Sequence, residues 1–462
     1  METAQDNQEE KEPVLDEEAQ ASARVRETVA AIDTADKAAL QALLKDAHEA
    51  DIADLISLLS TDHRSQFIAL IGSELNPAVL AELDEGVRAD VAGQLDTDKL
   101  VTAVQELETD DAVFVIGDLD KKGQQEILAR MPFTERQVLQ RALDYPEDSA
   151  ARLMRPDFVA VQPSWTVGQT IDYLRDTENL PDDFLEILIV DTDNKPTGVV
   201  RLNKTLRTAR PVLMQDIMDE RLTLIPADMD REDMARQFER YNLVSAPVVD
   251  DETRLLGVIT ADDVFEVIVE EAEEDILRLG GVGHEAVTDS VLQAASGRFS
   301  WLFVNLLTAI LASIVIGFFD ASIEQMVALA ILMPIVASMG GNAATQTLTI
   351  TVRALATLEL QTANAVRIIM REASIGLVNG ILFAILVGFI GAFWFDNVLL
   401  GIVFASAMIV NMFVAGVSGI LVPLGLRKIG VDPAIASGVF VTTITDVIGF
   451  LAFLGFATLF LL

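Results

Sequence analysis

Residues 291–462 are almost entirely hydrocarbon, yet their last apolar stretch carries an acid in its middle, Asp446, closing the run Thr442-Thr443-Ile444-Thr445-Asp446. Holding a carboxylate at bilayer depth costs about 2.5 to 3.5 kcal/mol on insertion scales. Something polar must face it, most simply water or a cation. A protonated Asp hydrogen-bonded to a neighbouring helix is the alternative. A second apolar stretch adds neutral oxygens: Pro334 and Gly340-Gly341 are followed by Asn342, Thr345, Gln346, Thr347, Thr349 and Thr351. The proline and the glycine pair predict an interrupted helix, whose freed carbonyls survive in a membrane where helices pack tightly or line a wet cavity. Gly and Thr also serve helix contact, but Asn342 and Gln346 tip the reading toward a pore wall. Far upstream, Asp262 to Leu279 forms an acidic helix with Asp263, Glu266, Glu270, Glu271, Glu273, Glu274 and Asp275. Like charges at i,i+4 repel, so this helix is least strained beside a counter-cation.

The elements that carry these residues can be read by period. Five apolar stretches, near 299–319, 326–350, 374–395, 398–424 and 434–460, are each long enough to span about 30 Å of hydrocarbon. Arg298 precedes the first, Arg353, Arg367 and Arg371 lie between the second and third, and Arg427 and Lys428 lie between the fourth and fifth. The alternate loops hold Asp320, Glu324 and Asp396. All six basic residues thus fall on one side, which the positive-inside rule makes cytoplasmic, with the large amino-terminal half beside them and the carboxyl terminus outside. The spans carry no basic residue, so an anion path lacks its usual ligands.

Of the 33 basic and 71 acidic residues, 27 and 64 precede residue 291. So acidic a soluble half repels nucleic acid and anionic lipid and attracts cations; solubility or a salty habitat would account for the same excess. Cysteine is absent, which removes disulfides, thiolate nucleophiles and soft-metal sites. His48, His63 and His284 have no ligand spacing, so no zinc centre is expected. Residues 1–21, acidic and without an apolar core, read as a disordered tail. Residues 22–145 are helical by period and repeat themselves: Asp51-Ile52-Ala53-Asp54-Leu55-Ile56 answers Asp111-Ala112-Val113-Phe114-Val115-Ile116 sixty residues on, which predicts a solenoid of helical hairpins. Residues 150–262 bring two β runs per unit, Leu185 to Asp191 and Gly198 to Leu202, then Ala246 to Asp250 and Gly257 to Thr260. Each half resembles a cystathionine-beta-synthase (CBS) motif, and the tandem resembles a ligand-sensing CBS pair. Gly257, Thr260 and Asp263 look like that family's ribose-phosphate signature; a strand leading into a capped helix would use the same residues.

The run Met333-Pro334 to Met339-Gly340-Gly341-Asn342 and Gln346, with Asp432-Pro433-Ala434 leading to Thr442-Thr443-Ile444-Thr445-Asp446, resembles the MgtE family of magnesium transporters. The domain order is that family's too. The resemblance implies a multi-domain chain: an all-α helical-repeat domain at 22–145, an α/β CBS pair at 150–262, an acidic linking helix at 263–296 and an α-helical transmembrane domain of five spans at 297–462. It implies a homodimer in a prokaryotic plasma membrane, with a pore on the two-fold axis and membrane lipid around it. Mg2+ would be both cargo and regulator. The selectivity aspartate matches Asp446, with Asn342, Gln346, Thr442 and Thr445 around it; the sensing acids match Asp111, Asp263, Glu266, Glu271, Glu274 and Asp275, with Asp432 at the inner mouth. ATP at the CBS pair is a candidate ligand. Departures are Ala344 after Gly-Gly-Asn, Gly438 eight residues before Asp446, and Phe114 where an acid is expected after Asp110-Asp111. Mg2+ binds through one or two carboxylates and keeps several waters, which suits such a path. No Gly-x-x-x-x-Gly-Lys motif occurs, so downhill, channel-like entry closed by cytosolic Mg2+ is expected. A Co2+ or Mn2+ transporter, or a CBS-gated carrier of another ion, is the alternative. An enzyme with a CBS module would need a catalytic Cys or a nucleotide-binding barrel, and none is expected.

Overall fold

Short polar side chains set where the first helices begin. Asp36, Ser60, Asp96 and Asp120 each accept a hydrogen bond from a backbone amide of the first turn, satisfying donors that a helix cannot pair internally. The computed structural model describes residues 17–283 and 291–462, apart from Ser73, Asn179, Asp182 and Thr362. Residues 1–16 of the expected tail, His284 and residues 284–290 of the linking segment lie outside the described residues. Helix α1 (Glu17–Asp33) starts inside the stretch that composition assigns to the tail. It is followed by α2 (Lys37–Leu44), α3 (Glu49–Leu58), α4 (Thr61–Ile71), α5 (Ala78–Ala81), α6 (Glu85–Gln94), α7 (Thr97–Glu106), α8 (Thr109–Gly117), α9 (Lys121–Arg130) and α10 (Phe133–Leu143). Helices pack on their second neighbours, α4 on α6, α7 on α9, α8 on α10, as in a hairpin solenoid. Leu40, Ile56, Phe67, Val79, Val91 and Ile116 are sealed in one continuous core, each worth about 1.5 to 3 kcal/mol. The repeated segments coincide with α3 and α8.

The tandem α/β part builds the same unit twice. In the first, β1 (Ala160–Val161) lies parallel to β2 (Glu186–Val190), which pairs antiparallel with β3 (Pro196–Arg201). In the second, β4 (Ile225–Pro226), β5 (Ser245–Val249) and β6 (Leu255–Thr260) repeat that order. Helices α11 (Val167–Asp176) and α12 (Leu202–Arg207) belong to the first unit, and α13 (Arg231–Tyr241) to the second. The hairpin turns are duplicated too. Asp191 Oδ1 accepts from the amides of Asp193 and Lys195, both at 2.9 Å. Asp250 Oδ1 accepts from those of Glu252 and Arg254 at 3.0 and 2.8 Å. Each turn then places a residue at φ 61°, Asn194 in one and Thr253 in the other. Asn adopts that conformation at little cost and a β-branched Thr at a higher one. From β6 the chain runs into α14 (Ala261–Leu279).

The carboxyl-terminal part holds α15 (Val291–Gly317), α16 (Asp320–Gln325), α17 (Ala328–Ala356), α18 (Ala365–Trp394), α19 (Val398–Lys428) and α20 (Pro433–Phe460). Five of these are long and apolar enough to cross a membrane, at the places the hydropathy predicts. One expectation fails: α17 is not interrupted, and runs unbroken with Pro334 inside it. Its glycines serve contact instead. An added Cβ at Gly340 would overlap the Asn411 amide, and one at Gly341 would lie 3.9 Å from Thr442 Cγ2. Between α18 and α19 the approach is closest, since a Cβ at Gly376 would come within 2.6 Å of the Met412 carbonyl and one at Gly416 within 2.7 Å of the Glu372 carbonyl. Small residues are what allow such packing where no hydrophobic effect drives helices together.

The two hairpin turns generate a stability test. Replacing Thr253 by Asn, the residue its own repeat uses, should stabilise the second α/β unit by about 0.5 to 1 kcal/mol. Amide exchange of β5 and β6 under native conditions reads this directly, and no gain would mean that φ 61° costs Thr253 nothing.

Candidate functional site

Arg155 organises the acids of the soluble part. Its backbone is fixed first: its amide donates to the Val258 carbonyl at 2.8 Å, and the Val258 amide donates back at 2.9 Å. This crossing requires Gly257, where a Cβ would come within 2.6 Å of the Arg155 carbonyl. From there the guanidinium reaches Asp110 Oδ2 on α8 at 2.9 Å, Asp263 Oδ1 on α14 at 2.6 Å and Asp262 at 3.5 Å, and also pairs with Glu108. Asp263 is held further by the Thr260 hydroxyl, which donates to its Oδ2 at 2.7 Å. One cation therefore serves four acids. Among the described residues Asp110 Oδ1 is buried without a hydrogen-bond partner, a costly position for a carboxylate oxygen.

Burial first, and then the excess of negative charge, raises the pKa values of this cluster. Burial, reinforced by Asp110, pushes Asp111 up to about 7. Burial and then Asp110 raise Asp263 to about 6. Asp110 itself is raised by burial against the opposing pull of Arg155. Glu266 is pushed up to about 7 by burial and then Asp263, but its side chain lies on exposed ground, so solvent screens its share.

Arginines also sit among the remaining sensing candidates. Arg231 donates to Glu271 at 2.6 Å and to Glu270 at 3.1 Å. Arg278 pairs with Glu274 and with Asp432, whose other oxygen caps α20 by accepting from the Ala434 amide at 2.8 Å. Asp275 is engaged as well. The acidic helix thus meets guanidinium groups where the sequence leads one to expect a free counter-cation. Among the described residues no three Asp, Glu or His side chains are gathered as a ready metal centre. Phe114, standing where an acid is expected, packs against the core of the second α/β unit and carries the Arg88 guanidinium 5.5 Å above its ring.

A cavity of about 370 Å³ opens between the two α/β units, lined by Phe158, Phe184, Leu188, Ser245, Val258 and Thr260 among others. Of the nucleotide candidates only Thr260 lines it. Gly257 is explained by the Arg155 crossing, and Asp263 is committed to Arg155 and Thr260.

In the membrane part, Asp446 and Thr442 lie one turn apart on a partly open face of α20, and Asn342 and Gln346 lie one turn apart on an exposed face of α17. Among the described residues Asp446 has no hydrogen-bonding partner. Thr442 keeps its proton on the Gly438 carbonyl at 2.9 Å, leaving its oxygen free to accept. Thr445 departs from the expected set: it is fully buried, with its hydroxyl turned onto the Thr442 carbonyl at 2.9 Å. Sequence reasoning missed two residues, Arg155 and the buried Asn411 of α19. A lone amide in a long apolar helix was the available signal for the second.

A helical domain, a tandem α/β pair and five membrane-length helices with one mid-span carboxylate define a multi-pass membrane transporter. Three family descriptions match the chain in that order: the MgtE intracellular N domain over residues 47–148, the CBS domain over 150–208 and 214–270, and the MgtE divalent cation transporter over 333–456. The magnesium transporter MgtE of Thermus thermophilus is 31% identical over 441 residues, 93% of this chain and 97% of its own length. That of Bacillus subtilis is 28% identical over 412 residues, 89% and 91% of the two chains. The solved cytosolic domain of the Mg2+ channel MgtE in complex with ATP aligns at 27% identity and a TM-score of 0.48, covering 53% of this chain and 99% of its own. The chain belongs to the MgtE family of magnesium transporters, as the motifs around Gly340-Gly341-Asn342 and Asp446 indicate.

The acid cluster predicts a pH dependence in metal-free protein. Carboxylates whose folded pKa lies above the unfolded value make the folded state bind the extra proton, so their packing is most stable below about pH 4 and weakens as pH rises through 6 to 7. Amide exchange in α8 and the first turns of α14, corrected for intrinsic rates, should be at least about tenfold faster at pH 8 than at pH 5.5. Equal protection at both pH values would mean that the cluster is compensated by Arg155 alone.

Proposed function

We propose that the chain is a channel-like magnesium transporter that admits Mg2+ to the cytoplasm down its electrochemical gradient and is closed by cytosolic Mg2+. Family membership and relatives named as magnesium transporters support the cargo. The observation that carries the pore assignment is Asp446, a mid-span carboxylate with no hydrogen-bonding partner among the described residues, on a partly open helix face. In a homodimer with its axis along that face, two copies of Asp446 and Thr442, flanked by Asn342 and Gln346, would hold a hydrated cation through outer-sphere and a few direct contacts. The membrane potential contributes about 2.3 kcal/mol per elementary charge per 100 mV toward entry, so no coupled hydrolysis is required. The amino terminus and soluble domains are cytoplasmic and the carboxyl terminus is outside, following the six basic flanking residues. Because the matching family description covers divalent cations generally, Co2+ and Mn2+ are the competing cargoes.

Asp446→Ala should abolish Mg2+ uptake while leaving folded protein in the membrane, and Asp446→Asn should fail with it because an amide cannot offset a divalent charge. Uptake undiminished in either variant would remove Asp446 from the path.

For regulation, Asp110, Asp111 and Asp263 are the residues that would hold Mg2+ at the solenoid and CBS pair, with Glu271, Glu274, Asp275 and Asp432 as further ligands in the acidic helix and at the start of α20. A bound cation would relieve the repulsion that adds to burial in raising Asp111 and Asp263, and so favour the compact, closed arrangement. The cleft at Thr260 is where ATP would enter. Cation binding to partly protonated carboxylates releases protons. Millimolar Mg2+ added near pH 6.5 in weak buffer should therefore release protons, fewer from Asp111→Asn, and potassium at equal ionic strength should release almost none. The same release by potassium would reduce the effect to screening.

A further inference from the structure

Asn411 is the least expected side chain in the membrane part. It lies inside α19 with no exposure at all. Its Nδ2 donates across to the Val336 carbonyl of α17 at 2.7 Å, and its Oδ1 is buried with no hydrogen-bond partner among the described residues. Glycines on both neighbouring helices make room for it. A Cβ at Gly340 of α17 would overlap the amide, and one at Gly449 of α20 would come within 2.8 Å of Nδ2. Three helices therefore meet on one amide. A leucine of similar size would fill the same space and leave no orphan acceptor, so packing alone does not account for a polar group here.

The joint lies on the turns that carry the pore candidates. Asn342 follows Gly340 by two residues, Asp446 precedes Gly449 by three, and Gly341 faces Thr442. Any change in the separation or rotation of α17 against α20 at this level must move Asn342 relative to Asp446. Sites that select among ions need ligand positions held to within about 0.5 Å, and a hydrogen bond to a backbone carbonyl fixes register in a way that apolar contact does not.

We propose that Asn411 is a positioning residue of the cation path: by tying α19 to the Val336 carbonyl and wedging between Gly340 and Gly449, it sets the spacing of Asn342 and Asp446 and so helps decide which cations pass. This rests on the pore assignment of Asp446.

The test uses full-length protein in lipid vesicles and reads the ratio of Mg2+ to Ca2+ flux. Asn411→Leu, which keeps the volume, should stay monodisperse yet shift that ratio roughly three- to tenfold, the scale of one lost interhelical hydrogen bond in a membrane. Gly340→Ala, which displaces the amide without touching residue 411, should shift it in the same direction. In the double variant Asn411→Ala and Gly340→Ala the volumes are complementary again, so thermal stability should recover while the flux ratio stays altered. A wild-type ratio in Asn411→Leu, or recovery of the ratio along with stability in the double variant, would overturn the proposal. Should Asn411→Leu fail to reach the vesicle, Gly340→Ala decides alone, an unchanged ratio counting against it. Asp446→Ala separates the two readings: an inactive Asp446→Ala beside an unaltered Asn411→Leu removes only the role of Asn411, whereas wild-type flux in Asp446→Ala removes the pore assignment beneath it.

Discussion

A carboxylate taken out of water must be matched by positive charge, by hydrogen-bond donors or by retained water, and this constraint runs through both parts of the chain. In the soluble part the match is arginine. Arg155 binds acids of α8 and α14 at once and Arg231 binds Glu270 and Glu271, and at the start of the carboxyl-terminal part Arg278 binds Glu274 and Asp432. In the membrane part Asp446 has no such partner among the described residues. The same residue type is thus held in two ways, partly neutralised by arginine in the acidic clusters and left open where the proposed path runs.

Arginine matching is incomplete by construction. One guanidinium faces Glu108, Asp110, Asp262 and Asp263, so the cluster keeps net negative charge, which adds to burial in raising the pKa values of Asp111 and Asp263. A fully neutralised cluster would have no free energy to gain from a cation. A cluster with no arginine would repel itself too strongly to pack without one.

Periodicity and duplication made the architecture legible. The membrane helices stand where apolar runs of sufficient length stand, and the solenoid was visible because Asp51 to Ile56 and Asp111 to Ile116 occupy equivalent helices. The α/β repeat announced itself through its paired β runs, Leu185 to Asp191 and Gly198 to Leu202 answered by Ala246 to Asp250 and Gly257 to Thr260. The organisation of the site was less legible because its contacts are distant in sequence: Arg155 lies 45 residues from Asp110 and 108 from Asp263. Local rules also misled. Pro334 and two glycines predict a broken helix, but α17 stays whole, and the glycines instead answer to side chains on other helices, Asn411 and Thr442. Thr445 likewise shares a motif with Asp446 but sits on the buried side of α20, because the residue before Asp446 in the chain is turned about 100° away from it around the helix.

That last point separates what a motif records from what a site uses. A contiguous run such as Thr442 to Asp446 places alternating duties on successive residues: Thr442 and Asp446 share one face, while Thr445 and Gly449 share the buried face that meets the rest of the bundle. Gly449 is small because Asn411 occupies the space beside it, and Asn411 in turn reaches the helix that carries Asn342. The residues that hold the open face are therefore interleaved with those that form it, one residue apart in sequence and about 100° apart around the helix. On the proposed reading of the pore, ion choice depends on both sets, since a ligand can be no better placed than the joint that fixes its helix.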